Sequence, residues 1–317
     1  MQKIALLVAT KNEEVNIERR LANIASCIMP EDFSIHIAVL DNGSTDSTMF
    51  KVEQFKSQSA LSIQPITLPP IGKCGALFWA FKNISADYFL MTDANTVFNR
   101  TVLLDFADAI RSAQFKAIVW VGNGLGFPYG ADVSGLDSEY LGTLQERHRI
   151  ESKFGTFTGA NGACYGLSAG LVDKIWELPT TRNDDFIISI YAASLGKVVY
   201  AKNSYAYEFY SDKVKHLFKN KFRDSIGHTN ALIWILKYVK PFTFASKVVI
   251  LRLFFWLSPV VLAILVLYFS KAFFLVLTLI AAFTKRSLFI KYLALIGGLL
   301  CGIFVKAPVS WLPDRNS

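Results

Sequence analysis

Over the first 121 residues, short apolar runs alternate with stretches in which apolar residues recur every three or four positions. Ile4 to Ala9 is the first run and predicts a buried strand, followed by the polar turn Thr10-Lys11-Asn12-Glu13. Ile17, Leu21, Ile24 and Ile28 then repeat at i, i+4, i+7 and i+11, the spacing of one helix face. Ile35 to Leu40 predicts a second strand, closing in Asp41-Asn42-Gly43-Ser44-Thr45-Asp46. There Gly43 allows a tight turn, and Ser44 or Thr45 can cap the next helix. Ile63 to Leu68 predicts a third strand, before Pro69-Pro70, and Ile71-Gly72-Lys73-Cys74-Gly75 opens a helix reaching Asn83. Tyr88 to Met91 is a fourth apolar run, ending in Thr92-Asp93-Ala94-Asn95. Leu103, Ala107 and Ile110 mark another helix, and Ala117 to Val121 another strand. This alternation predicts a doubly wound α/β domain.

Beyond it, Asp137 to Phe154 reads as a polar helix, and Thr156 to Gly166 as a small, glycine-rich loop. Asp184 and Asp185 stand at the start of a helix running to Leu195, and Gly196-Lys197-Val198-Val199-Tyr200 leads into a strand. From Val248 to Val305 the chain is almost continuously apolar. Val248–Phe269 and Ser287–Val305 are long enough to span a bilayer and Ala272–Phe283 is short, which allows two or three spans.

Charge sharpens this division. Residues 1–207 carry a net −3, residues 208–252 a net +6 and residues 253–317 a net +5. An acidic domain, a basic collar and an apolar tail exclude a nucleic-acid footprint and fit a domain on an anionic cytoplasmic leaflet. The mean hydropathy of +0.35 comes from the tail. Cys27, Cys74, Cys164 and Cys301 are scattered without a paired spacing, as expected of reduced cysteines in a cytosolic domain and a lipid-buried segment. Met1-Gln2-Lys3 leads directly into the first strand, which does not read as a signal peptide.

Three successive strand ends carry polar groups: Thr10 with Asn12 and Glu13, Asp41 with Asn42, and Asp93 with Asn95. Lys73 adds a cation at a helix start. Ligands of open α/β sheets bind beyond the carboxyl ends of the strands. Oxygens at i and i+2 on Asp93 and Asn95 can turn toward one hard cation, Mg²⁺ or Mn²⁺, whose natural counterpart is a nucleotide diphosphate. The competing reading is that these residues end strands and cap helices. Lys73 is not a Walker lysine, because Thr67 and Cys74 occupy positions that pattern reserves for glycine and for serine or threonine. Gly122-Asn123-Gly124-Leu125-Gly126 has no helix pattern behind it and is discounted as a dinucleotide fingerprint. For Asp184 and Asp185, helix capping and proton abstraction both remain open.

The ordered set VATKNEE, LDNGSTD, GKCGA and TDANT resembles the family-2 inverting glycosyltransferases of GT-A type, the group of cellulose, chitin and hyaluronan synthases. The resemblance covers roughly residues 3–232 and continues into the tail. It implies donor binding by Thr10, Glu13, Asp41, Lys73, Asp93 and Arg223. Asp41 would meet the base, Lys73 the ribose and phosphate, and Arg223 the diphosphate. It implies a divalent cation, Mg²⁺ or Mn²⁺, at Asp93 and Asn95, with one charge fewer than the family's Asp-x-Asp. It implies an acceptor site at Gly159, Ala160, Asn161, Gly162 and Asp184, with Asp185 as the base. Asp224 stands where processive relatives carry a tryptophan, which implies a non-processive enzyme.

The expected architecture is a GT-A-like catalytic domain at 1–207 and a basic amphipathic membrane-interface linker at 208–247. Transmembrane helices at 248–307 and a tail at 308–317 complete it. The expected function is transfer of a hexosyl or N-acetylhexosaminyl group from a nucleotide-diphosphate sugar to a lipid-linked saccharide. The enzyme would sit in the inner membrane with its catalytic domain on the cytoplasmic face and act in cell-surface polysaccharide synthesis, without a nucleic-acid partner. Two rivals are a non-catalytic membrane-bound sugar-nucleotide-binding protein, which would not need Asp185, and a nucleotidyltransferase. The latter class carries a glycine-rich basic signature after the first strand, which Thr10-Lys11-Asn12-Glu13 is not.

Overall fold

The computed structural model describes residues 1–112, 119–128, 160, 162–175, 184–195, 199–210, 222 and 226–227. Four parallel strands form one half of an eight-stranded sheet: β1 (Gln2–Thr10), β2 (Phe33–Asp41), β3 (Ile63–Thr67) and β4 (Tyr88–Asp93). Between them lie α1 (Ile17–Ala25), α2 (Thr48–Gln58) and α3 (Gly72–Asn83). The rest of the sheet is β5 (Thr96–Phe98), β6 (Val119–Pro128), β7 (Tyr165–Ser168) and β8 (Val199–Tyr210). It is joined by α4 (Val102–Arg111), α5 (Ala169–Ile175) and α6 (Asp184–Leu195). The strand order is β3-β2-β1-β4-β7-β6-β8-β5.

The first half matches the alternation read from sequence; the second corrects the doubly wound expectation. β7 runs antiparallel to both β4 and β6, and β5 runs antiparallel to β8, so the sheet is mixed. β7 begins at Tyr165, inside the stretch expected to be loop to Gly166. Gly122 to Gly126 lie within β6, in keeping with the discounted fingerprint. β8 continues to Tyr210, past the 207 boundary.

Successive side chains of a strand face opposite ways, and the core divides accordingly. Ala5, Leu7, Ala38, Leu40, Phe89 and Met91 pack with α3 and α6 on one face. Ile4, Leu6, Val8, Ile37, Val39 and Leu90 pack with α1 and α4 on the other. Helices on both faces explain why the central strands are apolar runs rather than alternating ones. On α1, Ile17, Leu21 and Ile24 are buried as the period requires, but Ile28 falls beyond the helix and is exposed. The cap of α2 also differs from expectation: Ser47 precedes the helix, and Asp46 accepts from the Thr48 N–H at 3.0 Å. Ser44 and Thr45 are engaged instead in the loops described below.

Gly166 shows how closely the sheet meets α4. A β-carbon at Gly166 would run into the Phe106 ring, buried beneath it. Gly166→Ala should therefore destabilise the domain by about 1–3 kcal/mol, the usual size of overpacking. Thermal or denaturant unfolding measures it, and an unchanged midpoint would place Phe106 elsewhere.

Among the described residues no helix is long and apolar enough to cross a membrane. The apolar stretch from 248 to 305 and nearly all of the 208–247 linker lie outside the described residues.

Candidate active site

The carboxyl ends of β1, β2 and β4 lie side by side: Thr10 is in register with Asp41, and Ala9 with Asp93. Parallel pairing thus converts three separate sequence positions into one edge. The loops leaving this edge are laced together. Asn12, at φ +52°, donates its N–H to Ser44 Oγ at 2.8 Å, and its Oδ1 accepts from the Thr45 N–H at 2.8 Å. Ser44 donates both its N–H and its hydroxyl to Asp41. Asp41, 1% exposed, is thereby fixed at the strand end. Glu13 is buried too. Its N–H donates to Thr48 Oγ1 at 2.8 Å and its Oε2 accepts from Asn16 Nδ2 at 2.7 Å, so it braces the start of α1.

Two polar atoms beside Asp41 are buried without a hydrogen-bond partner among the described residues: Thr10 Oγ1 and Asn42 Nδ2. Buried polar atoms are seldom left so in a folded protein, and both stand at the strand ends beyond which ligands of open α/β sheets bind. The other end of Asn42 is used, since its Oδ1 accepts from the Gly72 N–H at 2.9 Å. Gly72 takes φ +82°, a conformation that suits glycine, and starts α3 one residue before Lys73.

Lys73 reaches from α3 to β4, with Nζ 2.7 Å from Asp93 Oδ1. Burial pulls the ammonium down, but the carboxylates of Asp93, Asp184 and Asp185 outweigh it and hold Lys73 above the usual lysine value. It is a permanent cation at the centre of three acids. Gly162 shows the convergence directly. A β-carbon there would lie 3.0 Å from Lys73 Nζ, 3.4 Å from Asp185 Oδ2 and 3.7 Å from Asp93 Oδ2. Residues from α3, β4 and α6 thus close around Gly162, where a side chain would be crowded against Lys73.

Asp185 is gripped by two N–H donors: Gly162 to Oδ2 and Phe186 to Oδ1, each at 2.8 Å. Burial first, and then the neighbouring Asp184 carboxylate, push its carboxyl up to about 7, with Lys73 opposing. A carboxylate poised near neutrality beside the Lys73 ammonium is suited to general-base work. Asp184 is placed differently from its expected acceptor role. It is 2% exposed and accepts from the buried Tyr165 hydroxyl at 2.7 Å, so it packs inward. Ala160 is likewise in the core. Gly159, Asn161 and Arg223 lie outside the described residues.

The cation expected at Asp93 and Asn95 can be judged from the donors present. Both residues are buried at the junction of β4 and β5, and their side chains offer hard oxygens. Among the described residues no three His, Cys, Asp or Glu side chains gather to hold a metal. Asp93 and Asn95 thus offer part of a divalent ion's oxygen shell and do not amount to an all-protein cage.

Arg20 has a place here that sequence reasoning missed. It is buried on the apolar face of α1, between Ile17 and Leu21, and lies 3.9 Å from the Phe98 ring centroid. Its guanidinium donates to Thr92 Oγ1 at 2.9 Å, and that hydroxyl donates to the Ala163 carbonyl at 2.9 Å. Burial draws Arg20 down to about 10. It ties the end of β4, next to Asp93, to the segment carrying Gly162. A charge on the apolar stripe of a helix was its visible signal.

No curated protein sequence matches the chain. Among solved structures, a mannosyltransferase from Pyrobaculum calidifontis, in complex with GDP-Man and Mn²⁺, is similar at 17% identity and a TM-score of 0.76. The match covers 95% of this chain and 87% of that one. S. aureus TarS 1–349 with UDP-GlcNAc is similar at 16% identity and a TM-score of 0.51, over 71% of this chain and 66% of that one. GalNAc-T7 with UDP, GalNAc and Mn²⁺ gives 11% identity and a TM-score of 0.52, over 67% and 44%. At such identities the likeness is one of fold, the α/β GT-A-like fold with a mixed sheet. The sequence profile of glycosyl transferase family 2 spans residues 5–176, which includes Thr10, Asp41, Lys73, Asp93 and Gly162, and with more than half of its length matched the chain belongs to that family.

Proposed function

We propose that this glycosyltransferase moves a single hexosyl or N-acetylhexosaminyl group, with inversion, from a nucleotide-diphosphate sugar to a membrane-held, lipid-linked saccharide. The observation that carries this is the meeting of Lys73, Asp93 and Asp185 around Gly162. It sets a cation for a leaving diphosphate beside a carboxylate able to accept a proton.

The donor's base would sit against Asp41, with Thr10 Oγ1 and Asn42 Nδ2 as the unpartnered groups it engages. The GDP and UDP sugars bound by the similar structures support a nucleotide in this crevice. Lys73 would hold the phosphates. Asp93 and Asn95 would hold a divalent cation, which when bound neutralises charge developing on the diphosphate oxygens. Asp185 removes the acceptor's hydroxyl proton as that oxygen attacks the anomeric carbon. The bond to the diphosphate breaks on the opposite face, which inverts the configuration. Stabilising the departing charge is usually the largest single contribution to such a step. Arg223 would add a bidentate contact to the same diphosphate.

The membrane setting is supported by the apolar stretch from 248 to 305 and by the basic collar before it, which would seat the domain on an anionic leaflet. Asp224, in the position of the processive enzymes' tryptophan, supports transfer of one sugar, since it offers no aromatic face for a growing chain.

The test is a screen of GDP- and UDP-sugars in detergent with a membrane lipid extract as acceptor. Divalent-cation-dependent release of nucleoside diphosphate is expected, with products one sugar larger than the acceptor. A ladder of long products would overturn the non-processive assignment. Binding without turnover would favour a sugar-nucleotide-binding protein, and pyrophosphate release from a nucleoside triphosphate would favour a nucleotidyltransferase.

A further inference from the structure

Tyr165 has no place in the transfer chemistry above, yet it touches the catalytic helix. It opens β7, is fully buried, and pairs in register with Met91, two residues before Asp93. Its hydroxyl donates to Asp184 Oδ2 at 2.7 Å. Burial and then the Asp184 carboxylate push the phenol well above its ordinary value, so it remains a proton donor at any working pH. Asp184 is the first residue of α6 and Asp185 the second.

The geometry makes a clamp of two jaws. Gly162 and Tyr165 belong to one short segment, three residues apart. The Gly162 N–H holds Asp185 at 2.8 Å, and the Tyr165 hydroxyl holds Asp184 at 2.7 Å. Consecutive acids on the first turn of a helix are thus pinned by the same piece of chain from two directions. A buried carboxylate deprived of its donor must find another or turn toward solvent. Either response by Asp184 would rotate the first turn of α6 and carry Asp185 with it. Asp185 meets Lys73 and Asp93 around Gly162, so a small rotation moves it relative to both.

We propose that Tyr165 is a positioning residue for sugar transfer: by holding Asp184 it fixes the first turn of α6 and aims Asp185 at the acceptor hydroxyl. This rests on the reading of Asp185 as the base.

The test uses the full chain in detergent with Tyr165→Phe, which keeps the ring and removes only the hydroxyl. Amide hydrogen exchange at Gly162 and Phe186, whose N–H groups hold Asp185, should quicken roughly ten- to a hundredfold, the size of a lost hydrogen bond to a charged group. Asp184→Asn retains an oxygen to accept from Tyr165 and should keep the slow exchange. Turnover of GDP-mannose or UDP-N-acetylglucosamine, whichever the wild type uses, should fall by a similar factor. Calorimetric affinity for GDP or UDP should not change, because Thr10 and Asp41 lie at the other end of the crevice. In an Asp185→Asn background Tyr165→Phe should cost nothing further, since effects acting through one group are not additive. Unchanged exchange at Gly162 and Phe186, or a full additional loss in the Asp185→Asn background, would overturn the proposal. Near-normal turnover of Asp185→Asn alone would instead overturn the base assignment, while the exchange result still judges the clamp.

Discussion

Asp185→Asn should lower turnover by roughly 10²–10⁴, the usual contribution of a general base. The substitution keeps the side chain's shape. An amide oxygen can still accept from one of the two N–H groups that hold Asp185, those of Gly162 and Phe186. What is lost is basicity. Nucleotide affinity should survive, because Asp41, Ser44 and Thr10 are untouched. The pH dependence adds a second signature. The carboxyl of Asp185 stands at about 7, pushed up by burial and by Asp184. A base works only when deprotonated, so wild-type turnover should fall as pH drops below about 7 and level off above it. Donor phosphates and a cation nearby would shift that limb in opposite directions. The asparagine variant should lack it altogether. Near-wild-type turnover, or an acidic limb that survives the substitution, would remove Asp185 from the role and turn attention to Asp93.

Asp93→Ala is expected to abolish measurable transfer, since removing one charge-stabilising group alone costs about 10²–10³ in turnover. Asp93 is the full carboxylate of the Asp-Ala-Asn set, and it also orients Lys73 through a 2.7 Å ion pair. Without it Lys73 would be drawn toward Asp184 and Asp185, and the diphosphate would lose its cation and its aligned ammonium together. Unlike Asp185→Asn, this change should weaken donor binding as well as turnover, which calorimetry with GDP or UDP separates. Asn95→Asp, by restoring the charge that neutral Asn95 lacks, should tighten Mn²⁺ binding in the presence of nucleotide. Turnover that persists unchanged with a chelator would show that Asp93 serves the ribose or the fold.

The two results divide the site into halves that the sheet holds together. Asp93 arrives at the end of a parallel strand, as ligand-binding groups of open α/β sheets do. Asp185 arrives on a helix start, where the dipole favours its charged form against the burial that opposes it. Lys73 arrives at another helix start, beyond a glycine whose positive φ sets the entry angle. Arg20 and Thr92 bind the first half to the segment carrying Gly162, and Tyr165 and Gly162 bind the second to the same segment. Residues 162–165 are therefore the common support of both: Gly162 and Tyr165 hold the paired acids and Ala163 lends a carbonyl to Thr92.

By itself the sequence determined what depends on near neighbours. The parallel half of the sheet was legible because buried strands and amphipathic helices leave periods of a few residues, and β1 to β4 with α1 and α4 fall close to where those periods put them, Ile28 excepted. Thr10, Asp41 and Asp93 were legible as candidates because three successive strand ends carry polar groups, Lys73 because it adds a cation at a helix start, and Asp185 through the family resemblance. What lay beyond reach was set by pairings over long separations. That β7 inserts antiparallel between β4 and β6 follows from contacts between residues 88–91, 119–121 and 165–168, and no local period encodes them. The lacing of Asn12 to Ser44 and Thr45 replaced the expected helix caps for the same reason. Arg20 stands on the apolar stripe of α1, and only the placing of the end of β4 above it supplies its partner, Thr92. Asp184 and Asp185 are adjacent in sequence with equal chemistry. Only packing gives Asp184 the Tyr165 hydroxyl and Asp185 the Gly162 N–H beside Lys73, because a helix turn points neighbouring side chains about 100° apart.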